Sequence, residues 1–189
     1  MARKKVSEKS LNLSDLANLS ETFEKRLLFM GLLTKELLKY NIKPIVVGGN
    51  AVEFYTLGGY ATRDIDIVCV DYRKLGDILK DWKFKKKGRH WFNEEYDLLV
   101  ESPTDRLHGC PEKVAEVRIK GLKVYLIGVE DIIIDRLNAY VHWHSENDGR
   151  WAKELLVLNW DKIDWNYLEK QSKKEKTAQA LTKLIKEIK

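Results

Sequence analysis

The segment Val46-Val47-Gly48-Gly49-Asn50-Ala51 and, a short helix later, the segment Thr62-Arg63-Asp64-Ile65-Asp66-Ile67-Val68 decide how this chain folds. Together they predict a short buried strand, a glycine turn that opens a helix, and a second buried strand. Side chains alternate between the two faces of a strand, so Asp64 and Asp66 point to one face while Ile65 and Ile67 point to the other face, into the core. The second strand therefore presents a pair of carboxylates on one face.

This pair of carboxylates beside a glycine turn indicates nucleotide chemistry. The oxygens of Asp64 and Asp66 repel each other unless a positive ion lies between them, and ligand sets made only of oxygen favour Mg²⁺ or Mn²⁺. Gly48 and Gly49 stand at the start of a helix, where backbone N–H groups are open to close approach by phosphate. A phosphate-binding turn next to metal-binding carboxylates predicts a protein that acts on nucleotides.

The composition predicts one globular domain in a reducing compartment. The chain has 189 residues, of which 44% are hydrophobic and 33% charged, and this is enough to bury a core. Its two cysteines, Cys69 and Cys110, lack metal-ligand spacing, and the sequence shows neither a membrane-spanning apolar run nor an apolar signal segment. We therefore expect a cytoplasmic protein with no membrane partner.

The net charge of +5 is concentrated at the two ends of the chain. Residues 1–10 carry four basic residues and one acidic, and residues 170–189 carry seven lysines and two glutamates, so residues 11–169 sum to −3. A protein that binds duplex nucleic acid is expected to have a basic face on its folded body. The net charge alone therefore gives no support to nucleic-acid binding, and solvated basic tails are the preferred interpretation.

Hydrophobic periodicity predicts strands and helices in an order typical of an α/β protein. We expect helices at Ser20–Tyr40 with Ser20 as N-cap, Asn50–Leu57, Tyr72–Trp82, Glu130–Trp143, Arg150–Leu158 and Lys173–Ile188. We expect strands at Ile45–Val47, Asp64–Val70 and Tyr96–Val100, two more within Lys83–Tyr96, and a hairpin of Val114–Ile119 with Val124–Ile127. The basic cluster from Lys85 to Arg89 is expected at an exposed hairpin tip.

This order predicts a mixed sheet with flanking helices and a C-terminal helical part. Residues 1–12 are expected to form a disordered tail and residues 13–128 the sheet-containing core. Residues 129–189 are expected to pack on that core as helices and to end in a lysine-rich tail.

The residues quoted above resemble the polymerase-beta-like nucleotidyltransferase superfamily. Gly48, Gly49 and Asn50 match its glycine turn, and Asp64 and Asp66 match its Asp-hydrophobic-Asp pair. Over about residues 40–158 the chain is also similar to small uncharacterised prokaryotic nucleotidyltransferases related to abortive-infection toxin–antitoxin proteins. The further motifs that carry this likeness are Leu99-Val100-Glu101-Ser102-Pro103, the run from Val129 to Leu137, and Trp151.

The resemblance implies a third carboxylate, for which the sequence offers two candidates. Asp97 fits the general hydrophobic-Asp-hydrophobic pattern of the superfamily better. Glu101 fits the more similar small proteins and stands at a strand end, where sites in α/β sheets collect. We prefer Glu101 and keep Asp97 as the alternative.

The resemblance also implies a mechanism and partners. Two Mg²⁺ or Mn²⁺ ions would be held by Asp64, Asp66 and the third carboxylate, and the glycine turn would hold the phosphates of an NTP. Arg136 is a candidate for a further triphosphate contact. The protein would transfer an NMP to a protein or RNA acceptor, with a cognate toxin or antitoxin as a possible partner. Two alternatives stay open: a binding module with reduced chemistry, and a nucleic-acid-binding adaptor that uses its basic ends.

Overall fold

A mixed seven-stranded sheet lies at the centre of the part of the chain that the computed structural model describes, residues 11–19 and 22–188. The strands are β1 (Ile45–Val46), β2 (Asp64–Val68), β3 (Lys85–Lys87), β4 (His90–Asn93), β5 (Leu98–Glu101), β6 (Ala115–Ile119) and β7 (Leu122–Leu126). Their order across the sheet is β3-β4-β5-β2-β1-β7-β6. The pairs β1–β7 and β2–β5 are parallel and the others antiparallel, which confirms the predicted mixed α/β fold.

Helices cover both faces of this sheet. They are α1 (Thr22–Leu38), α2 (Gly48–Tyr55), α3 (Tyr72–Asp81), α4 (Val129–His142), α5 (Glu146–Asn159), α6 (Trp165–Lys174) and α7 (Ala178–Ile188). On one face, α1 and α3 enclose the larger hydrophobic core, into which the β2 residues Ile65 and Ile67 point. On the other face, α2 and α4 to α7 enclose a second core beside β1 and β7.

The second face is covered over only part of its width. Its half next to β1 is packed under helices, and Ile45 and Val47 contact the second core there. Its other half, made by β2, β5, β4 and β3, keeps partly exposed side chains such as Asp64, Asp66 and Phe92. The predicted carboxylate pair therefore lies on the open half of the sheet.

Several predicted elements are confirmed, and others need correction. The hairpin across Lys120-Gly121 forms as expected, and the turn Gly88-Arg89 gives the basic cluster its exposed tip. The predicted single helix at 173–188 is wrong, because the chain breaks between α6 and α7 at Lys176, whose φ is +61°. The predicted helix at 150–158 begins earlier, where Ser145 caps α5.

Other predictions fall partly or wholly outside the described residues. Ser20, the expected N-cap of the first helix, and residues 1–10 of the expected tail are among these. The lysine-rich segment 170–188 supplies the end of α6 and all of α7, and Leu181 and Leu184 on α7 are buried.

Candidate nucleotidyl-transfer site

Asp66 is seated directly on the diglycine turn. The backbone N–H of Gly49 donates a hydrogen bond to the Asp66 carboxylate, and the backbone N–H of Val47 donates to the Asp66 carbonyl at 3.0 Å. Gly48 has a φ of +57°, and a Cβ at this position would overlap the Asp66 carboxylate. Glycine is therefore required at position 48 for two independent reasons, backbone conformation and space.

Strand pairing brings a second carboxylate beside Asp66. In the parallel β2–β5 pair, Asp66 lies opposite Glu101 and Asp64 lies opposite Leu99. Paired residues on neighbouring strands point to the same face, so Asp64, Asp66 and Glu101 share the open face of the sheet. The alternative third carboxylate, Asp97, is exposed and has a φ of +49° in the turn before β5. At about 3.3 Å per residue, Asp97 lies roughly 13 Å from Glu101 along the direction of β5.

The electrostatics at Asp66 reflect this crowding of negative charge. Burial raises the pKa of the Asp66 carboxyl from 3.8 to about 6, and repulsion by Glu101 and then Asp64 adds to the rise. The hydrogen bond from Gly49 and the positive charge of Arg136 act in the opposite direction. A carboxylate that is difficult to ionise without a cation, in a partly buried site, is typical of functional positions.

Glu101 already has a positively charged neighbour, Arg89, on its other side. Nε of Arg89 lies 2.9 Å from one of the Glu101 carboxylate oxygens, and Nδ1 of His90 lies 3.2 Å from the other without a hydrogen bond. The Glu101 side chain is buried, whereas the Arg89 side chain is 74% exposed. Because an exposed arginine loses little when it leaves such a pair, Arg89 can be displaced more easily than Glu101 can move.

The donor set suits a hard divalent cation, but its third member is engaged. In the described residues, no three His, Cys, Asp or Glu side chains gather closely enough to ligate one ion. Asp64 and Asp66 supply the oxygen ligands that Mg²⁺ and Mn²⁺ prefer, and their repulsion favours a cation. Glu101 would complete the set only after Arg89 releases it. The pair on β2 therefore fits a metal, and the third ligand depends on this exchange.

Asn50 supports the site from beneath rather than lining it. Its side chain is completely buried, its Nδ2 donates to the Asp64 carbonyl, and its Oδ1 accepts from Nε of Arg26 at 3.0 Å. Arg26 also forms a buried ion pair with Glu53 on α2. The side chain of Asn50 thus fixes α2 to β2. The group of Asn50 that could bind a phosphate is its backbone N–H.

Arg26 and Glu53 were not identified from the sequence as part of the site. A signal was present for Arg26, since it interrupts the apolar periodicity of α1 three residues after Phe23 and four before Met30. A charged residue on an otherwise apolar helix face requires a buried partner. The sequence alone does not say that the partner is on α2.

Arg136 lies near Asp66 but is held by other acids. Its guanidinium donates to Asp135 and, at 2.7 Å, to Asp148 on α5, and its side chain is 18% exposed. It is close enough to Asp66 to lower the pKa of that carboxyl. Its positive charge is therefore part of the site, although two carboxylates share it.

A cavity of about 440 Å³ opens beside the Arg136–Asp135 pair, between α4, α6 and the loop that follows β5. Asp135 and Asn138 line it, together with the buried Asp131, whose carboxylate accepts hydrogen bonds from Tyr167 and from the backbone of Cys110. Among the described residues, Oδ1 of Asn138 is buried without a hydrogen-bond partner. The residues that line this cavity include none of Asp64, Asp66 and Glu101.

The described helices include none that is both long and apolar enough to span a lipid bilayer. A search of curated protein sequences finds no match to this chain. A family model described as "Nucleotidyltransferase of unknown function (DUF6036)" matches residues 21–187.

Two solved structures are also similar to this chain. An antigenic nucleotidyltransferase-like protein from Paracoccidioides brasiliensis is 18% identical, with a TM-score of 0.64 over 89% of each chain. The antibiotic-resistance factor ANT(2'')-Ia is 17% identical, with a TM-score of 0.47 over 73% of this chain and 90% of that one. At these identities the first likeness shows the fold, and the family follows from the model match. The chain belongs to the DUF6036 family of nucleotidyltransferases of unknown function.

Proposed function

We propose that this protein is a metal-dependent nucleotidyltransferase that moves an NMP from an NTP to a hydroxyl group of a protein or RNA acceptor. The observation that carries the proposal is the position of Asp66. Its carboxylate rests on the diglycine turn, shares a face with Asp64 and Glu101, and has a pKa raised to about 6. Phosphoryl-group transfer depends mainly on positioning and on charge stabilisation, and this arrangement concentrates both at one point.

The chemistry balances without a covalent protein intermediate. The acceptor hydroxyl oxygen attacks the α-phosphorus, the bond from that phosphorus to the bridging oxygen breaks, pyrophosphate leaves, and the hydroxyl proton passes to water. Asp64 and Asp66 would hold Mg²⁺ or Mn²⁺, with Glu101 as the third ligand of a two-ion site. The ions would neutralise charge on the triphosphate. Gly48, Gly49 and the backbone of Asn50 would face the phosphates.

Labelled nucleotide transfer tests this proposal. The protein is incubated with each α-³²P-labelled NTP, Mg²⁺ and a lysate fraction that supplies acceptors, and label in macromolecules is measured with and without EDTA. We expect EDTA-sensitive labelling that Asp66→Asn and Glu101→Gln reduce at least about a hundredfold, as expected when charge stabilisation of a transition state is removed. Asp97→Asn is the matched control and should leave the labelling unchanged. Undiminished labelling by Asp66→Asn would sink the proposal.

The contacts of Glu101 favour one second candidate, a binding module that keeps the fold with reduced chemistry. If Arg89 holds Glu101 permanently, the third ligand is never released. Such a protein could still act as a toxin–antitoxin partner by binding alone. Calorimetry separates the two functions, because the enzyme should bind NTP more tightly with Mg²⁺ than without it, whereas a binding module should show no metal-dependent nucleotide affinity.

A further inference from the structure

The register of the sheet places a lysine and a histidine in the same row as two of the site carboxylates. Lys87 on β3 lies opposite His90 on β4, His90 lies opposite Glu101 on β5, and Glu101 lies opposite Asp66 on β2. Because paired residues point to the same face, these four side chains form one line across the open half of the sheet. At about 4.8 Å between strands, Lys87 stands roughly 14 Å from Asp66.

A second row lies two residues along the strands. It runs from Lys85 through Phe92 and Leu99 to Asp64. Phe92 is partly exposed, and Nζ of Lys85 lies 5.9 Å from the centroid of its ring. The ion pair of Lys85 with Glu94 joins two exposed side chains and is therefore easily displaced. An aromatic ring thus stands beside a lysine on the surface that leads to the carboxylates.

The opposite face of β3 and β4 carries a lysine that packs over a buried tryptophan instead of pointing toward the site. Lys86 lies opposite Trp91, and its Nζ is 5.4 Å from the centroid of that ring. Trp91 is buried in the larger core, under α3. Lys86 therefore lies on the face of the sheet that points away from the site. It has the same charge as Lys85 and Lys87 and is also exposed.

We propose that β3 and β4 form a docking surface for single-stranded nucleic acid, whose hydroxyl group is the acceptor in the transfer reaction; this inference rests on the proposed function. Lys85, Lys87 and Arg89 would contact successive phosphates, and Phe92 would stack against a base. The strand would run across the sheet toward Asp66, where its hydroxyl would displace pyrophosphate from the NTP.

Two features favour a single strand over other polyanions. The cations are confined to one short two-stranded edge, which offers a duplex few phosphate contacts. An acidic protein segment would be attracted by the lysines but would gain nothing specific from a partly exposed aromatic ring beside them. Protection of an edge strand against aggregation also uses lysines, but it requires no difference between Lys86 and its neighbours.

The test compares neighbouring lysines on opposite faces. Binding of a fluorescein-labelled 12-nucleotide RNA, and of DNA of the same sequence, is followed by anisotropy with the full chain at several salt concentrations. We expect Lys85→Ala/Lys87→Ala to weaken binding at least about tenfold and to reduce the salt slope by about one to two, as expected for the loss of two phosphate contacts. Lys86→Ala should weaken binding less than about twofold. Phe92→Leu should weaken it without a change in the salt slope.

Each other outcome has a definite meaning. Equal losses for Lys86→Ala and Lys87→Ala, or absence of binding by the unmodified protein, would overturn the docking surface. Equal competition by polyglutamate would also overturn it, in favour of an acidic protein acceptor. NMP transfer that is unaffected by Lys85→Ala/Lys87→Ala would refute the docking surface and leave the proposed function intact. Face-dependent binding without any NTP-dependent labelling would refute the proposed function and leave the surface intact.

Discussion

Replacement of Gly48 by alanine tests whether the diglycine turn is built around the Asp66 carboxylate. Two penalties should add. An alanine at a φ of +57° takes a left-handed conformation that costs about 1–2 kcal/mol. Its Cβ would also overlap the Asp66 carboxylate, and overpacking of this kind costs about 1–3 kcal/mol. We expect a total loss of about 2–5 kcal/mol in the free energy of unfolding.

Gly88 provides a matched control for this change. Its φ is +61°, close to that of Gly48, but a Cβ there would have no heavy atom within 4 Å. Gly88→Ala should therefore cost about 1–2 kcal/mol, the backbone penalty alone. Urea unfolding measures both values, and the difference between the two variants is the contribution of the overlap with Asp66.

A double-mutant cycle completes the experiment. Asp66→Ala removes the carboxylate, so Gly48→Ala made in that background should lose about 1–3 kcal/mol of its penalty. For a chain of this size each kcal/mol shifts Tm by about 2–4 °C, which is well within measurement. Equal destabilisation by Gly48→Ala and Gly88→Ala, together with no coupling to Asp66, would refute the placement of Asp66 against the turn.

Three further predictions concern charges around the site. The pKa of Asp66 is about 6 in the folded protein and 3.8 for an ordinary aspartate. Between about pH 4 and 6 the folded state therefore binds more protons than the unfolded state, and the stability of the protein should fall as the pH rises through that window. In EDTA, Asp66→Asn should remove this slope in Tm, and an unchanged slope would contradict the shift. Arg89→Ala should tighten Mn²⁺ binding, read by electron paramagnetic resonance, more than Lys86→Ala does, because Arg89 competes for Glu101; equal effects would rule out that competition. Arg26→Met should lower the free energy of unfolding by about 3–5 kcal/mol, because it removes the cation from a buried ion pair with Glu53, and urea unfolding checks it; a loss below about 1 kcal/mol would contradict that pairing.

Local patterns in the sequence were sufficient to predict much of the fold. Alternation along β2 placed Asp64 and Asp66 on one face, and Lys120-Gly121 marked the turn of the β6–β7 hairpin. These features depend on residues that are neighbours in the chain, where periodicity and turn preferences act directly. The break before α7 was missed because Lys176 takes a positive φ without glycine, and its sequence carries no signal for this.

The pairing between distant strands was beyond sequence reasoning. The choice between Asp97 and Glu101 depends on where β5 begins and on which of its residues lies opposite Asp66. The ion pair between Arg89 and Glu101 likewise requires that β4 and β5 be neighbours in a particular register. Arg136 was expected to meet phosphate, whereas the packing of α5 on α4 supplies Asp148 as its partner.

Glu101 stands at the boundary between the acidic and basic halves of the open face, and this position links the two proposed ligands. Asp66 repels it from β2, and Arg89 attracts it from the β3–β4 turn. A metal that took Glu101 would release Arg89 for a phosphate, and a nucleic acid that took Arg89 would release Glu101 for the metal. Since coupling between two sites is reciprocal, Mn²⁺ and single-stranded RNA should each tighten the binding of the other by the same factor. Glu101→Gln should abolish that factor, whereas Asp97→Asn should preserve it, and a factor that survives Glu101→Gln would exclude Glu101 as the link.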